Sequence, residues 1–399
     1  MRSALGRRED ALRAAENAVA YCRELVAAQP ESCRPDLAAS LDNLAARRSA
    51  LGLREDGLKA AEEAAGIYRE LAALRPDTFR PELARSLNNL ASMLGGLGRH
   101  QDALRKASEA VGLFRELAAT RPDAFQPYLA ISLGNLAGRL SALGRREDGI
   151  SAAELAVALY RDLAGARPDT FRPDLAASLS NLANELGNLG RSEDALRAAE
   201  EAVGLCRELA AARPDAFRPD LAASLNNLGN RLSDLGRRED ALRATEEAIA
   251  LRRELAAARP DAFQPSLVKS LNNLVDRLTD LSRFEDAFRA AQESVEHCRQ
   301  LASARETVRP ELAWSLSVLA DCLEGIGRMT DAVKSDEESI ATLAPALASD
   351  PGLARPMLAY LKDYVRRAKA SGAEPNYELM EPIVERLQTL IDQSKARTR

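Results

Sequence analysis

The sequence predicts an all-α chain built as an α-solenoid of stacked antiparallel helical hairpins, and three observations carry that prediction. The segment "SLNNLGNRLSDLGRREDALRATEEA", residues 224–248, returns along the chain with few changes. Prolines in the phrase "RPDLA" and its variants fall at Pro35, Pro81, Pro127, Pro173, Pro219, Pro265 and Pro310, five steps of 46 residues and one of 45, with Pro356 another 46 on. Hydrophobic residues make up 46% and charged residues 29% of the chain against only 4% aromatic, the Ala/Leu/Glu/Arg balance of helices packed side by side. A fixed period of this length marks units that bury their apolar faces only against one another, so the 399 residues are not to be divided into globular domains by length.

Each unit reads as two helices. The anchor proline is placed in the first turn of the first helix, where its missing N–H is tolerated, and the glycine of "DLG", such as Gly236, ends that helix. The second helix opens with an acidic pair such as Glu239-Asp240, favourable at the positive end of the helix dipole, and runs to Arg259-Pro260. At about 1.5 Å per residue its ~20 residues span roughly 30 Å. A "PDAF" linker, apolar at Phe79, Phe125, Phe171, Phe217 and Phe263, leads into the next anchor. Residues 1–34 form a partial repeat (second helix and linker only), 35–354 seven tandem repeats, and 355–399 a degenerate repeat or cap. The start is irregular, because "SALGRRED" at 3–10 equals residues 141–148 and so lies at the end of a first helix. The second helix of that incomplete hairpin, about 8–28, carries the usual apolar stripe. An unusual cap, self-association through this hairpin, and a preceding segment are the three ways to cover it. Near the other end "RETVRP" has lost one residue and the usual proline, and the pattern after Pro356 blurs as a polar cap requires.

Several function classes are disfavoured. The net charge of −5, 55 basic against 60 acidic residues, is spread evenly and directs the chain to neither nucleic acid nor a membrane. Five cysteines without a Cys-x-x-Cys pair argue against disulfides and metal sites, read as buried thiols, and suit the cytoplasm. No apolar run approaches the ~18 residues of a membrane span, and "MRSALGRRED" lacks the apolar core of a signal peptide. Seven of the 55 basic residues are lysine, a bias that with so much alanine points to a GC-rich bacterial genome. His100 replaces an arginine of a polar turn and His297 a leucine of an apolar column, so no nucleophile, base and orienting acid assemble. No enzyme activity and no cofactor are expected.

Leu225, Leu228-Gly229, Leu232, Gly236, Ala241 and Ala248 fall at the spacing of the tetratricopeptide repeat, and on these residues nearly the whole chain resembles that family. The large aromatic residues of the consensus are replaced by Leu, Thr or Ala, and the period is longer. "RPDLAASLNNLG" and "LGRREDAL" are most similar to the long-period repeats of kinesin light chains and of bacterial tetratricopeptide proteins. The resemblance implies a right-handed superhelix whose first helices line a concave groove.

Counted from the anchor proline, Leu221, Leu225, Leu228, Leu232 and Leu235 at +2, +6, +9, +13 and +16 share one helix face and predict the core. The opposite face carries the candidate site. Position +4 reads Ala39, Arg85, Ile131, Ala177, Ala223, Lys269 and Trp314; position +11 reads Ala46, Ser92, Gly138, Asn184, Asn230, Asp276 and Asp321. Between these variable columns, +8 reads Asn43, Asn89, Asn135, Asn181, Asn227 and Asn273 before Val318 breaks the series. Asparagine costs a few tenths of a kcal/mol in mid-helix relative to alanine, so a separate constraint holds it there. One reading is a ladder in which each carboxamide, donor and acceptor at once, bonds the backbone of an extended peptide, as the resemblance to kinesin light chains implies. The other is that each asparagine ties neighbouring hairpins. Acids at Asp234, Asp276, Asp280, Asp321 and Glu324 against a lone Lys269 predict a ligand that is basic over the last three hairpins. Trp314 is either a groove anchor or filler for the gap left by the deleted residue.

A non-enzymatic scaffold gripping an extended protein segment is the leading functional reading. The alternative is the sensor or partner-recognition array of a larger bacterial signalling NTPase or caspase-like protease system. RNA is disfavoured, since the groove columns lack basic and stacking residues.

Overall fold

A computed structural model describes residues 4–304, 306–348 and 350–397; residues 1–3 of the charged opening and Arg305 of "RETVRP" lie outside the described residues. Among the described residues every regular element is helical. The first helices of the repeats are α2 (Pro30–Ala50), α4 (Pro76–Gly96), α6 (Pro122–Ala142), α8 (Pro168–Asn188), α10 (Pro214–Asp234), α12 (Pro260–Asp280) and α14 (Arg309–Gly325). The second helices are α1 (Ala4–Ala28), α3 (Arg54–Leu74), α5 (His100–Thr120), α7 (Arg146–Ala166), α9 (Ser192–Ala212), α11 (Arg238–Ala258), α13 (Phe284–Ala304) and α15 (Met329–Leu343), and the chain closes with α16 (Ala354–Ala370) and α17 (Tyr377–Arg397). The chain is an all-α repeat solenoid whose consecutive helices pack in pairs, and it divides into two compact units, Met1–Leu205 and Cys206–Arg399. No helix among the described residues is long and apolar enough to cross a membrane.

The "PDAF" phrase is not a linker. It is the first turn of each first helix, which begins at Pro76, Pro122, Pro168, Pro214 and Pro260, so that one arginine alone joins it to the preceding second helix. That arginine, with φ near −140° and ψ near 75°, makes the bend, and its guanidinium lies 4.8 Å from the centre of the phenylalanine ring four residues on, as Arg75 does over Phe79. Pro76 and its copies stand at the helix start, where their fixed φ is already helical. The anchor prolines such as Pro81 and Pro219 therefore sit inside the helix, each deleting one i→i−4 hydrogen bond.

The apolar face is buried as the columns require. Leu87, Leu179, Leu225 and Leu271 at +6 are fully buried, with Leu83, Leu175, Leu221 and Leu267 at +2 close behind. Small residues at +10 let the second helix approach, and a Cβ on Gly229 would meet the Thr245 hydroxyl at 2.7 Å. On the second helices, arginines reach glutamates one repeat on: Arg23–Glu63 (2.7 Å), Arg69–Glu109 (2.6 Å) and Arg161–Glu201 (2.6 Å) in the first unit, Arg207–Glu247 (2.8 Å), Arg253–Glu293 (2.6 Å) and Arg299–Glu338 (2.8 Å) in the second. Each exposed rung contributes at most about 1 kcal/mol. On α1 the apolar stripe is partly open: Leu25 is 48% exposed, whereas its copies Leu71, Leu117 and Leu163 are buried.

Gly236 and its copies end the first helices in the left-handed region, with φ between 72° and 82°. Ser282 takes the same place at φ 57°, the one non-glycine residue with positive φ among the described residues. Since a side chain there costs about 1–2 kcal/mol, offset in part by the looser unfolded chain of glycine, Ser282→Gly is expected to stabilise the second unit by about 0.5–1 kcal/mol. Urea unfolding with an unchanged midpoint would refute this.

Candidate functional site

The face predicted to carry function is the solvent face of the first helices. Lys269 is exposed at +4, as are Trp314 and Ile131, and at +11 Asp276 and Asp321 are exposed while Asn184 and Asn230 are half-buried. In the +8 column Asn43, Asn89 and Asn181 are exposed and Asn135, Asn227 and Asn273 half-exposed. Adjacent first helices touch, α2 with α4, α4 with α6 and α6 with α8 in the first unit, α12 with α14 in the second, and the face is indented between them. A cavity of about 480 Å³ between α2 and α4 is lined by Asp42, Arg54, Asn89, Ser92 and Met93 among others, and one of about 260 Å³ between α6 and α8 brings together Gly138, Asn181, Asn184 and Glu185.

The hairpins are tied beside this column, by residues sequence reading passed over. Position +5 is serine in all seven repeats, at Ser40, Ser86, Ser132, Ser178, Ser224, Ser270 and Ser315, a column as uniform as the asparagines and detectable by the same comparison. A polar +7 side chain of one repeat bonds the +5 serine of the next. Ser86 donates to Asp42 Oδ1 (3.0 Å), Asn88 Nδ2 donates to Ser132 (2.5 Å), Ser270 donates to Asn226 Oδ1 (3.3 Å), and Asn272 Nδ2 donates to Ser315 (3.3 Å). The same serines meet a column of the second helices: Cys206 contacts Ser224 and Cys298 contacts Ser315, while Tyr68, Phe114 and Tyr160 fill the equivalent places. Among the cysteines only Cys206, Cys298 and Cys322 are buried; Cys22 and Cys33 are half-buried, against the expectation of five buried thiols. Burial pushes the Cys322 thiol up to about 12, which leaves it inert at neutral pH.

The +8 asparagines are engaged unequally. Asn89, Asn135, Asn181 and Asn227 have no side-chain hydrogen bond among the described residues. Asn43 Oδ1 accepts from Arg47 Nε on its own helix (3.2 Å), and Asn273 Nδ2 donates to Asn226 Oδ1 (3.1 Å), a tie between hairpins of the kind the second reading describes. Asn230 Oδ1 accepts from Arg277 Nη2 (2.9 Å), whose Nη1 donates to Ser233 (2.6 Å) and lies 3.7 Å from Asp280.

The acidic end is not the open cation site that the sequence suggested. Arg367 of α16 bonds Asp321, and Glu324 accepts from Arg366 Nη2 and Arg367 Nε, each at 2.7 Å. Those arginines hold Glu324 at about 2. Asp276 has no ion pair among the described residues; although the residue reaches solvent, partial desolvation of its carboxylate, opposed by Arg277 and reinforced by Asp280 and Asp321, raises its pKa. Trp314 is 41% exposed.

One carboxylate at a tie position stands apart. Burial pushes Asp42 up from 3.8 to about 6, its bond from Ser86 and the charge of Arg85 offsetting only part of that rise. A carboxyl that holds its proton more tightly folded than unfolded lowers stability as pH climbs from about 4 through 6, and the loss persists above. The full shift is worth about 3 kcal/mol, reduced to about 1–2 for a group partly open to solvent. Asp42→Asn is therefore expected to raise stability by about that much at pH 7.5 and to change little at pH 3.5. An equal effect at both pH values would contradict the assignment.

A stack of helical hairpins with a nearly uniform polar column on its solvent face has the build of a repeat scaffold. The chain carries tetratricopeptide repeats: the tetratricopeptide repeat family model matches residues 83–118, 175–212 and 221–258. Comparison with curated proteins gave no match. Among solved structures, the chain is similar to BtubC (BKLC) from P. vanneervenii, at 19% identity over 64% of this chain and 93% of that one with a TM-score of 0.50. It is similar also to the apo form of RapI (14% identity, 74% and 94% covered, TM-score 0.52) and to aspartyl phosphate phosphatase F from Bacillus subtilis (15%, 96% and 90%, TM-score 0.53). At such identities these likenesses show the fold alone.

Proposed function

We propose that the protein is a non-enzymatic scaffold that holds an extended segment of another protein along the +8 face, its asparagine carboxamides bonding the segment's backbone. The observation that carries this reading is the division of labour between adjacent columns. The +5 and +7 side chains, buried or half-buried, make most of the ties between hairpins, while Asn89, Asn135, Asn181 and Asn227 have no side-chain partner among the described residues. Their helix-propensity cost is thus not recovered inside these hairpins, and a bound peptide amide would recover it. A carboxamide can bond any peptide backbone, which suits an array that reads extension more than sequence.

The test begins with decapeptides selected from a random display library on the full chain. Replacing Asn89, Asn135 and Asn181 of the first unit together by alanine removes three net hydrogen bonds of about 0.5–1.5 kcal/mol each, which corresponds to a loss of affinity of roughly ten- to a thousandfold for a selected peptide. Helicity and Tm should stay level or rise slightly, because alanine is the better helix former. A fall in Tm with peptide affinity intact would make these asparagines ties between hairpins and end the proposal.

A further inference from the structure

Asp42 carries a charge that its structural role does not require. At the same +7 position Asn88, Asn226 and Asn272 make the equivalent tie to a +5 serine with a neutral carboxamide. The bond from Ser86 to Asp42 Oδ1 is such a tie, and an asparagine oxygen would accept it as well. The carboxylate is moreover penalised by burial, and it has no ion pair among the described residues. Arg85, the residue before Ser86 on α4, attracts it without reaching ion-pair distance and is itself exposed. Arg54, at the far end of the same cavity, is turned to the carbonyl of Gly96 (3.3 Å).

The cavity that Asp42 lines opens on the +8 face, with Asn89 in its wall. Along α2 it extends from Asp42 past Ala46 to Ser49, two helical turns or about 10 Å, and its apolar wall is Ala46, Met93 and Gly96. These dimensions suit a long side chain with an aliphatic stem and a charged head, the stem against Met93 and the head at the carboxylate. From the cavity, the surplus charge and the adjacent ladder asparagine, we infer that the space between α2 and α4 seats a lysine or arginine side chain of the bound segment, with Asp42 as its counter-ion. The inference rests on the peptide-binding reading above and supplies the chemistry of one residue of the partner. It also moves the basic end of the ligand from the last hairpins, where Arg366 and Arg367 already neutralise Asp321 and Glu324, to the first complete one.

The test uses the full chain labelled at the methionine methyl groups, with the Met93 signal assigned through Met93→Leu. Titration with N-acetyl-lysine methylamide is expected to shift the Met93 methyl signal, and the uncharged norleucine counterpart is not. Asp42→Asn, which keeps the residue type of the sister repeats and so the tie to Ser86, is expected to weaken the lysine probe at least about tenfold, as loss of a charged hydrogen-bond partner predicts. A Met93 signal unmoved by the lysine probe, or moved equally in wild type and Asp42→Asn, overturns the assignment. Display selection separates this failure from a wider one. Enriched decapeptides with no requirement for a basic residue overturn the Asp42 site and leave the scaffold reading standing, whereas no enrichment of any peptide overturns both.

Discussion

Arg367→Met is expected to destabilise the second unit by about 3–5 kcal/mol, the effect of removing one partner from a buried ion cluster. The Arg367 side chain is 1% exposed and is surrounded by acids from two other helices. Nη1 donates to both oxygens of Asp336 on α15 (2.8 and 2.9 Å), Nε to Glu324 on α14 (2.7 Å), and Nη2 to Asp321. Asp336 is fully buried, and burial lifts it to about 6 even though Arg367 opposes the rise. Without the guanidinium that carboxylate would face Asp321 and Asp363 uncompensated, so it would have to protonate or drag α16 away. Its pKa then climbs further above the ordinary carboxylate value, and the loss of stability grows with pH through and beyond 6 and shrinks in acid. The double variant Arg367→Met, Asp336→Leu removes charge and counter-charge together and should recover most of the loss, since a buried pair exchanged for apolar groups of similar size is close to neutral. Urea unfolding at pH 5 and pH 8, with hydrogen exchange to locate the change in α15 and α16, decides the matter. A single variant that costs less than about 1 kcal/mol at pH 8 would show the cluster to be dispensable.

The same cluster marks where the sequence stopped being legible. The repeat announced the helices because a 46-residue period and a five-leucine face leave one arrangement that buries Leu225 and its copies, and Gly236 fixed the helix end through its positive φ. Pro219 misled, because a proline next to "DLA" reads as a helix start; the true start is Pro214, five residues earlier, and the anchor is an internal proline. The exposed face followed from the core by subtraction. Which of its polar residues are already partnered did not, since partners lie 44 to 47 residues away on the next repeat, as Arg277 does from Ser233 and Asn230. Within the repeats that spacing could have been found by comparing uniform columns, and the +5 serines are the case in point. Arg366 and Arg367 lie past Pro356, where the period fades, so nothing periodic tied them to Asp321 and Glu324. An acid column is an ion-binding surface only when the chain's own cations are accounted for.

Phe114→Ala is the second large effect expected, about 3–5 kcal/mol of stability in the first unit. Phe114 is 1% exposed in the second-helix column that Tyr68 and Tyr160 fill in the neighbouring repeats and that Cys206 and Cys298 occupy in the other unit. The column therefore accepts small residues where the surroundings are built for them, as at Cys206 beside Ser224. Around Phe114 they are not, because its ring stacks on Tyr128 with centroids 5.6 Å apart and planes 13° from parallel, and Phe125 tilts against Tyr128 at 6.4 Å. Truncation leaves a cavity of a ring's volume and removes the stack, itself worth about 0.5–1.5 kcal/mol. Tyr128 is 40% exposed at the edge of a cavity of about 270 Å³ that Glu82, Arg85 and Arg121 also line, so the freed ring would turn into that space and reshape the rim of the +4 column. Phe114→Tyr, the residue native to positions 68 and 160, keeps both volume and stack and should cost less than about 1 kcal/mol. Because each hairpin packs chiefly on its neighbours, loss of hydrogen-exchange protection should centre on α4, α5 and α6, with the aromatic circular dichroism band diminished by the loss of the Tyr128 stack. If Phe114→Ala unfolds at the wild-type urea concentration, or if protection is lost evenly along the first unit, the stack is not the anchor of this hairpin.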